Sequence, residues 1–145
     1  MSSLSGQTVL IRWRSSSDGG AEFESDALPI PDGLNGTNPL TVFKLNPEGS
    51  LIQIDFDETC SPYRVNLLYG NLSNLSNYNL SGAVCNISNP YIWQINDENI
   101  WFILVSDNGL KKESLWGSSS FSERNGSNPS NYCGNTTKDL TGTCP

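Results

Sequence analysis

Residues 50 to 69 read SLIQIDFDETCSPYRVNLLY, and this stretch decides the fold class. Apolar residues alternate with polar ones in both halves of it. Those on one side are Ile52, Ile54, Phe56, Tyr63, Val65, Leu67 and Tyr69. Such alternation is typical of strands that bury one face and leave the other in water. The stretch therefore predicts two successive strands that share a core.

Strand signals recur on both sides of this stretch, separated by clusters of Gly, Pro, Asn and Ser. No segment carries apolar residues at helical spacing. NIWFILVS is apolar on both faces, which predicts a central strand, and GAVC is predicted at a sheet edge. Further strands are predicted in LTVFKL, in YIWQI and, broken near Gly117, in SLWGSSSFSER. Together they predict an all-β, immunoglobulin-like sandwich over residues 39–145.

The N-terminal residues 1–38 are predicted to lie outside this sandwich, as an extra strand or hairpin followed by a linker over 21–39. QTVLIRW is the strand, with Val9, Ile11 and Trp13 on one face. Its other face is partly apolar too, so the strand should not remain free in water. It is expected to pair with the sandwich, with a preceding module, or with a neighbouring copy by strand donation.

The charge balance narrows the classes of partner and chemistry. Eight basic residues face fifteen acidic ones, for a net charge of −7, and there is no histidine. Nucleic acid is excluded because binding it needs Lys and Arg to neutralise phosphates. The commonest general base is missing, and no apolar run is long enough to cross a bilayer. We therefore expect no enzyme, no cofactor and no membrane insertion.

Two acidic clusters are candidate calcium ligands, since calcium takes several oxygens from short loops. They lack the alternating aspartate spacing of calcium loops, so solvated surface turns are the favoured interpretation. The first cluster is Asp18, Glu22, Glu24 and Asp26, and the second is Asp55, Asp57 and Glu58.

Aromatic residues offer a second candidate site, because their flat apolar rings suit the faces of sugars. The candidates are Trp13, Trp93, Trp101, Trp116, Tyr63, Tyr69, Tyr78 and Tyr91. Burial in the core is the competing interpretation, above all for Trp101. Seven Asn-x-Ser/Thr patterns would accept glycans in a cell that N-glycosylates. They begin at Asn35, Asn71, Asn74, Asn79, Asn86, Asn125 and Asn135.

Four motifs in order resemble a fibronectin type III-like module of large secreted bacterial proteins. They are SLIQIDFDETC, YRVNLLYGNLSNL, IWFILVSDNG and SLWGSSSFSERNGSNPSNYC, which resemble the second, third, central and last strands of that module. The match covers roughly residues 40–133. LSGQTVLIRWRSSSDGG is similar, more weakly, to the end of a jelly-roll module that often precedes it.

Four cysteines in an acidic β chain indicate two disulfides and an oxidising compartment. The resemblance implies a cysteine after the second strand and another before the fifth, where Cys60 and Cys85 stand. We predict that these two join, and that Cys133 joins Cys144 to hold the tail. The core is predicted from same-face positions as Val42, Ile52, Ile54, Phe56, Tyr63, Val65, Trp101, Ile103 and Val105.

These features predict a non-catalytic extracellular module with a structural or adhesive role. Its partners would be other domains of the same protein or other copies of itself, with a glycan as a further candidate. The first alternative is a self-assembling filament subunit that donates its N-terminal strand. The second is a carbohydrate-binding module.

Overall fold

The computed structural model of the chain describes residues 8–13, 21–26, 40–56, 64–119 and 122–140. These residues form an all-β fold with one short 3₁₀ helix, as the alternating pattern predicts. The strands are β1 Thr8–Trp13, β2 Ala21–Asp26, β3 Thr41–Lys44, β4 Leu51–Asp55, β5 Arg64–Asn71, β6 Gly82–Ile87, β7 Tyr91–Gln94, β8 Ile100–Asp107, β9 Lys112–Glu113, β10 Ser118–Ser119, β11 Ser122–Glu123 and β12 Thr137–Lys138.

Two sheets form the sandwich. The first has three antiparallel strands in the order β3-β4-β7, with Val42 opposite Ile54 and Ile52 opposite Trp93. The second has five strands in the order β12-β9-β8-β5-β6. In it β8 is central and β6 lies at the edge, and both placements confirm the sequence prediction.

The chain after β8 differs from the prediction of one broken last strand. β9 has only two residues and pairs with β8 at Asp107 opposite Glu113. β10 and β11 then form a separate small hairpin. Two-residue β12 adds to the outside of β9 in parallel. Leu115 and Trp116, in the predicted strand, are buried but do not pair with another strand. Their apolar character therefore reflects burial and not a strand.

The N-terminal strand exists as predicted, but its neighbour was misjudged. Residues 21–26, predicted as the start of a linker, form β2. β1 and β2 pair antiparallel from Thr8 opposite Asp26 to Trp13 opposite Ala21, as a two-stranded sheet of their own. AEFESD has few apolar residues and is followed by a stretch rich in Pro and Gly, and this composition hid the strand. The rest of the predicted linker lies outside the described residues.

A 3₁₀ helix, Leu72–Asn77, lies between β5 and β6, where a purely irregular connection was predicted. Asn71 caps it, because its Oδ1 accepts a hydrogen bond from Ser73 N at 2.9 Å. Tyr78 ends it at a left-handed φ of 51°. The helix is too short to show helical periodicity in the sequence.

The core has two parts, one on each side of the five-stranded sheet. The inner core lies between the sheets and is built from Leu40, Ile52, Ile54, Phe56, Val65, Leu67, Ile87, Trp93, Ile95, Ile100, Phe102 and Leu104. The outer core lies on the opposite side of the five-stranded sheet and is built from Leu68, Trp101, Ile103, Val105 and Trp116. Both are apolar enough to exclude water, so each side of the sheet needs a cover.

The predicted core is confirmed for Ile52, Ile54, Phe56 and Val65, with Val42 partly buried against them. It is wrong in grouping Trp101, Ile103 and Val105 with this set, because they belong to the outer core. β8 is apolar on both faces, so alternation could not tell which set points inward. Tyr63 lies outside the described residues.

Candidate functional site

The outer core is covered by the 3₁₀ helix and by the C-terminal segment, and several buried ionisable groups of the described residues lie there. Trp116 follows β9 and is 1% exposed. Gly117 comes next at φ 92°, a conformation that favours glycine, and the chain turns away from the sheet. Residues 122–140 then pass across the same side. We call Glu113, Trp116, Glu123, Ser130 and Lys138 the C-terminal polar cluster.

Glu113 is the most buried acid of this cluster, with 0% exposure. Its Oε1 accepts hydrogen bonds from Trp116 Nε1 at 2.8 Å and from Ser130 N at 2.7 Å. Its Oε2 accepts from the Ser130 hydroxyl. Burial raises the pKa of Glu113, against these hydrogen bonds and the nearby Lys138, which lower it. Glu113 therefore ties β9 to the segment around Ser130.

Lys138 is the second anchor, and its side chain is fully buried. Its Nζ lies 4.3 Å from the centre of the Trp116 ring and 3.2 Å from Glu123 Oε1. It also donates to the carbonyls of Arg124 at 2.9 Å and Gly126 at 3.0 Å. Burial lowers the pKa of Lys138, while Glu123 raises it. Three acceptors and a ring face hold the ammonium, as expected for a buried cation.

Glu123 completes the cluster. Its Oε1 accepts from the backbone N of Trp116 as well as from Lys138. Its Oε2 has no hydrogen-bond partner among the described residues. Burial raises the pKa of Glu123, against hydrogen bonds from Trp116 and the charge of Lys138. The cluster holds the C-terminal segment in place, because each of its ionisable groups joins two separate stretches of the chain.

A second buried acid lies opposite Glu113 in the register of β8 and β9. Asp107, 1% exposed, accepts hydrogen bonds from Arg64 Nε at 2.9 Å and Arg64 Nη2 at 2.7 Å. It also accepts from Asn66 Nδ2 and from the backbone N of Gly109 at 2.7 Å. The arginine is partly exposed and the aspartate is not. This network fixes the β8–β9 turn to β5.

Sequence reasoning missed both of these networks. Glu113, Ser130 and Lys138 lie far apart along the chain, in stretches whose polar composition indicates surface. Asp107 stands in a turn pattern, Ser-Asp-Asn-Gly, that explains an aspartate without burial. The sequence gives only a weak indication of the first network, which is that Glu113 stands three residues before Trp116.

The observed disulfide corrects the predicted pairing. Cys85 bonds to Cys133, with Cα atoms 5.5 Å apart and a sequence separation of 48. Neither the Cys60–Cys85 pair nor the Cys133–Cys144 pair is therefore formed. The sheet decides this, because it places the edge strand β6 beside the returning C-terminal segment. Cys60 and Cys144 lie outside the described residues.

The predicted sugar-stacking surface is wrong for three of its tryptophans. Trp93, Trp101 and Trp116 are 7%, 0% and 1% exposed, so their faces cannot meet a ligand. Trp93 packs edge-on against Phe102, with ring centres 5.6 Å apart. Tyr78 lies edge-on to Trp101 and Trp116, each at 6.5 Å. Aromatic content here fills the two cores. The side chains of Trp13 and Tyr63 lie outside the description.

The glycan acceptor patterns fall in different environments. Asn74, Asn79 and Asn86 are exposed, and Asn125 is partly exposed. Asn71 is partly exposed but holds the 3₁₀ helix, and its Nδ2 donates to Asp97 at 3.1 Å. Asn135 is 1% exposed, so a glycan cannot be attached to it in the folded chain. Asn35 lies outside the described residues.

The two acidic clusters remain untested as metal sites. Asp18, Asp57 and Glu58 lie outside the described residues, and the side chains of Glu22, Glu24 and Asp26 are not described. Asp55 accepts a hydrogen bond from Gln53 Nε2 at 2.9 Å. Within the described parts of the chain, no group of three or more potential ligands converges on a metal position.

The solvent face of the three-stranded sheet carries exposed apolar residues. Phe43 and Ile92 are 50% and 55% exposed. Both lie opposite Gln53 in the register, so they occupy one row across the sheet. Leu45, which is 44% exposed, lies two residues after Phe43 and directly after the end of β3. These side chains are accessible, in contrast to the tryptophans.

Comparison of the chain with protein-family models, with curated protein sequences and with solved structures finds no match in any of the three. Along the described ranges, no helix has the length and apolar character needed to cross a bilayer.

Proposed function

We propose that the chain is a non-catalytic structural or adhesive module of a secreted or surface protein. The observation that carries this proposal is the way the C-terminal segment is held. A disulfide, a buried glutamate and a buried lysine all fasten the same segment to the same side of the sandwich. Their combined effect is resistance to unfolding from the chain end, which a spacer or anchoring module needs.

The chemistry of the buried groups supports a role without catalysis. The hydrogen bonds of Glu113 and Lys138 go to backbone and side-chain groups of the fold. Asp107 does the same with four donors. A catalytic acid or base needs a position from which it can reach a substrate proton. These groups are instead oriented toward neighbouring segments.

The disulfide supports an extracellular location for the module. Bonds of this kind persist in oxidising surroundings and are rare where thiol reductants act. The Cys85–Cys133 bond therefore supports secretion or surface display. Exposed acceptor asparagines, such as Asn74 and Asn86, are compatible with glycosylation in a host that has the machinery.

The strand order supports the fibronectin type III-like assignment. Counted from β3, the third, sixth and seventh strands share one sheet, and the first, second and fifth share the other. Immunoglobulin-type sandwiches divide these six strands in the same way. The fourth strand, β6, pairs with the third, whereas in constant-type immunoglobulin domains it joins the first sheet.

The filament alternative rests on β1 and is developed in the next subsection. The carbohydrate-binding alternative loses its main support, because three of its four tryptophans are buried. The accessible row of Phe43 and Ile92 contains a single aromatic ring, that of Phe43, and none of the tryptophans on which this alternative relied.

The proposal is tested on the natural host with antibodies raised against the folded chain. We expect labelling of intact cells or recovery from the medium, and non-reducing peptide mapping of that material should find Cys85 joined to Cys133. A cytoplasmic protein exposed after permeabilisation serves as the control. Labelling that appears only after permeabilisation, with Cys85 reduced, would contradict the proposal.

A further inference from the structure

The central strand β8 is paired very unequally along its two edges. On one edge, β5 pairs with all eight residues, from Ile100 opposite Asn71 to Asp107 opposite Arg64. On the other edge, β9 pairs only at Asp107. Two further hydrogen bonds follow at Ser106, whose O accepts from Ser114 N at 2.8 Å and whose N donates to Ser114 Oγ at 3.0 Å.

Beyond these contacts the C-terminal chain leaves the edge. Trp116 N donates to Glu123, and Gly117 O accepts from Arg124 N at 2.8 Å, so both are engaged away from β8. Backbone groups of alternate residues point to the same edge of a strand. Phe102 and Leu104 therefore present theirs in the same direction as Ser106. In the described ranges from residue 40 to 140, no strand pairs with this stretch, which we call the open edge.

β1 lies against this part of the molecule. Its Cα atoms come within 8 Å of those of β8. Sheets packed face to face are about 10 Å apart, so this spacing is too short for stacking. β5 fills the opposite edge of β8. We infer that β1 approaches β8 along the open edge, carrying β2 on its far side.

We propose that the open edge receives β1 of a second copy of this chain, so that copies are joined by exchange of the N-terminal hairpin. The contacts of β1 with β8 are the same within one chain and between two, so the exchange has a low free-energy cost. Thirteen residues, 27–39, separate β2 from Leu40, and extended they reach about 45 Å. The inference rests on the proposed structural role and names its partner.

The form of the assembly follows from symmetry. Reciprocal exchange between two copies closes into a dimer, whereas exchange passed from copy to copy gives an open filament. Pairing within one chain competes, because a short connection raises the effective concentration of β1 at its own β8 to about the millimolar range. Exchange is therefore favoured at high local concentration, and it should respond to the length of residues 27–39.

The first test uses the full-length chain in multi-angle light scattering over a wide range of concentrations. We expect masses of two or more chains that grow with concentration. Ile11→Pro should return the mass to a single chain, since proline removes a strand hydrogen-bond donor. Ser16→Pro, between the two strands, is the matched control and should still assemble. A native chain that stays monomeric throughout, or an Ile11→Pro chain that assembles normally, would overturn the proposal.

The second test keeps β1 intact in case Ile11→Pro impairs folding. Deleting residues 30–35 should raise the assembled fraction, because a shortened connection no longer lets β1 reach its own β8. Inserting a Gly/Ser segment of the same length should lower that fraction. An assembled fraction unchanged by both variants would show that association uses another surface. A monomeric chain found on the cell surface would contradict strand exchange but not the proposed function. An assembling chain confined to the cytoplasm would contradict the proposed function but not strand exchange.

Discussion

Both faces of the five-stranded sheet carry a buried apolar cluster, but the two clusters are covered in different ways. The inner face meets a second sheet, and its contacts are almost wholly between apolar side chains such as Ile54, Trp93 and Phe102. The outer face meets the 3₁₀ helix and the C-terminal segment. There the cover depends on Glu113, Lys138 and the Cys85–Cys133 bond.

The difference shows that a segment in regular secondary structure needs fewer polar side chains to attach it than an irregular segment does. A strand satisfies its own backbone groups through its ladder, so apolar side chains suffice to attach a sheet. A segment without a ladder keeps backbone donors and acceptors that need partners when buried. In the outer cover, Glu113 accepts from Ser130 N, and Lys138 donates to the carbonyls of Arg124 and Gly126. The polar residues replace the missing ladder.

The largest expected effect is on the inner face. Phe102→Ala should lower the free energy of unfolding by about 3–5 kcal/mol, because the ring is fully buried between two sheets that cannot collapse onto the space. Ile103→Ala, on the outer face, is the matched comparison and should cost about 2 kcal/mol, near the low end for such truncations. Urea unfolding measures both. A larger loss for Ile103→Ala would show that the outer cover is the more rigid one.

The next effect concerns the covalent link of the outer cover. Replacing Cys85 and Cys133 together by Ala should cost about 2–4 kcal/mol in the free energy of unfolding. The bond closes a loop with a sequence separation of 48, so its loss frees the unfolded chain. Limited proteolysis should then cut first within residues 122–140. Unchanged cleavage and an unchanged unfolding midpoint would mean that the polar anchors hold the segment alone.

The hydrogen bonds of Glu113 give the third effect. Glu113→Ala leaves the Trp116 indole N–H and the Ser130 donors buried without their acceptor, at a cost of about 1–3 kcal/mol. Glu113→Gln keeps an acceptor oxygen and should cost less. Thermal unfolding of the two variants side by side gives the comparison. Equal losses would mean that the charge, rather than the acceptor, is what the site needs.

The pH dependence of stability should also separate the two faces, since among the described residues the carboxyl groups with raised pKa values lie in the outer cover. Burial raises the pKa of Glu113 and Glu123 above the ordinary 4.5. Their contribution is therefore fully present below pH 4.5 and is lost as the pH rises through their folded pKa values. The native chain should lose stability relative to Glu113→Gln over that window. A constant difference between the two chains, measured by urea unfolding at several pH values, would contradict it.

The smallest effect is expected on the solvent face of the three-stranded sheet. Ile92→Ser should change the free energy of unfolding by no more than about 0.5 kcal/mol, because this side chain is already 55% exposed. Ile54→Ser, on the adjacent strand β4 and on the buried face of the same sheet, is the contrasting variant and should unfold the chain. A costly Ile92→Ser would reveal a contact that covers this face.

Much of the fold was predictable because alternation is visible locally. Ile52, Ile54 and Phe56 were placed on the buried face of β4, and β8 was placed at the centre of its sheet. Trp101, Ile103 and Val105 are buried as predicted, but they belong to the outer core, and a strand that is apolar on both faces does not show which residues point inward. β2 was missed because a stretch rich in Pro and Gly follows it, and the 3₁₀ helix because six residues are too few to show helical periodicity.

The candidate site was far less predictable. Even cysteine number indicated disulfides, but the pairing of Cys85 with Cys133 depends on how closely the C-terminal segment returns to β6. Tryptophan content left a surface for sugars as an alternative to the core, and burial decided for the core. Exposure likewise separates Asn135 from the other described acceptor asparagines, although their local patterns are the same.

The sequence by itself determined an acidic, histidine-free, all-β chain whose strands alternate into a sandwich, because these properties are carried by neighbouring residues. Only the tertiary structure decided which face of β8 points inward, which cysteines join, and where Glu113 and Lys138 find their partners. Each of these depends on residues brought together from distant parts of the chain, where local periodicity carries no information. The open edge of β8 belongs to the same group, since it exists only because β9 ends after two residues.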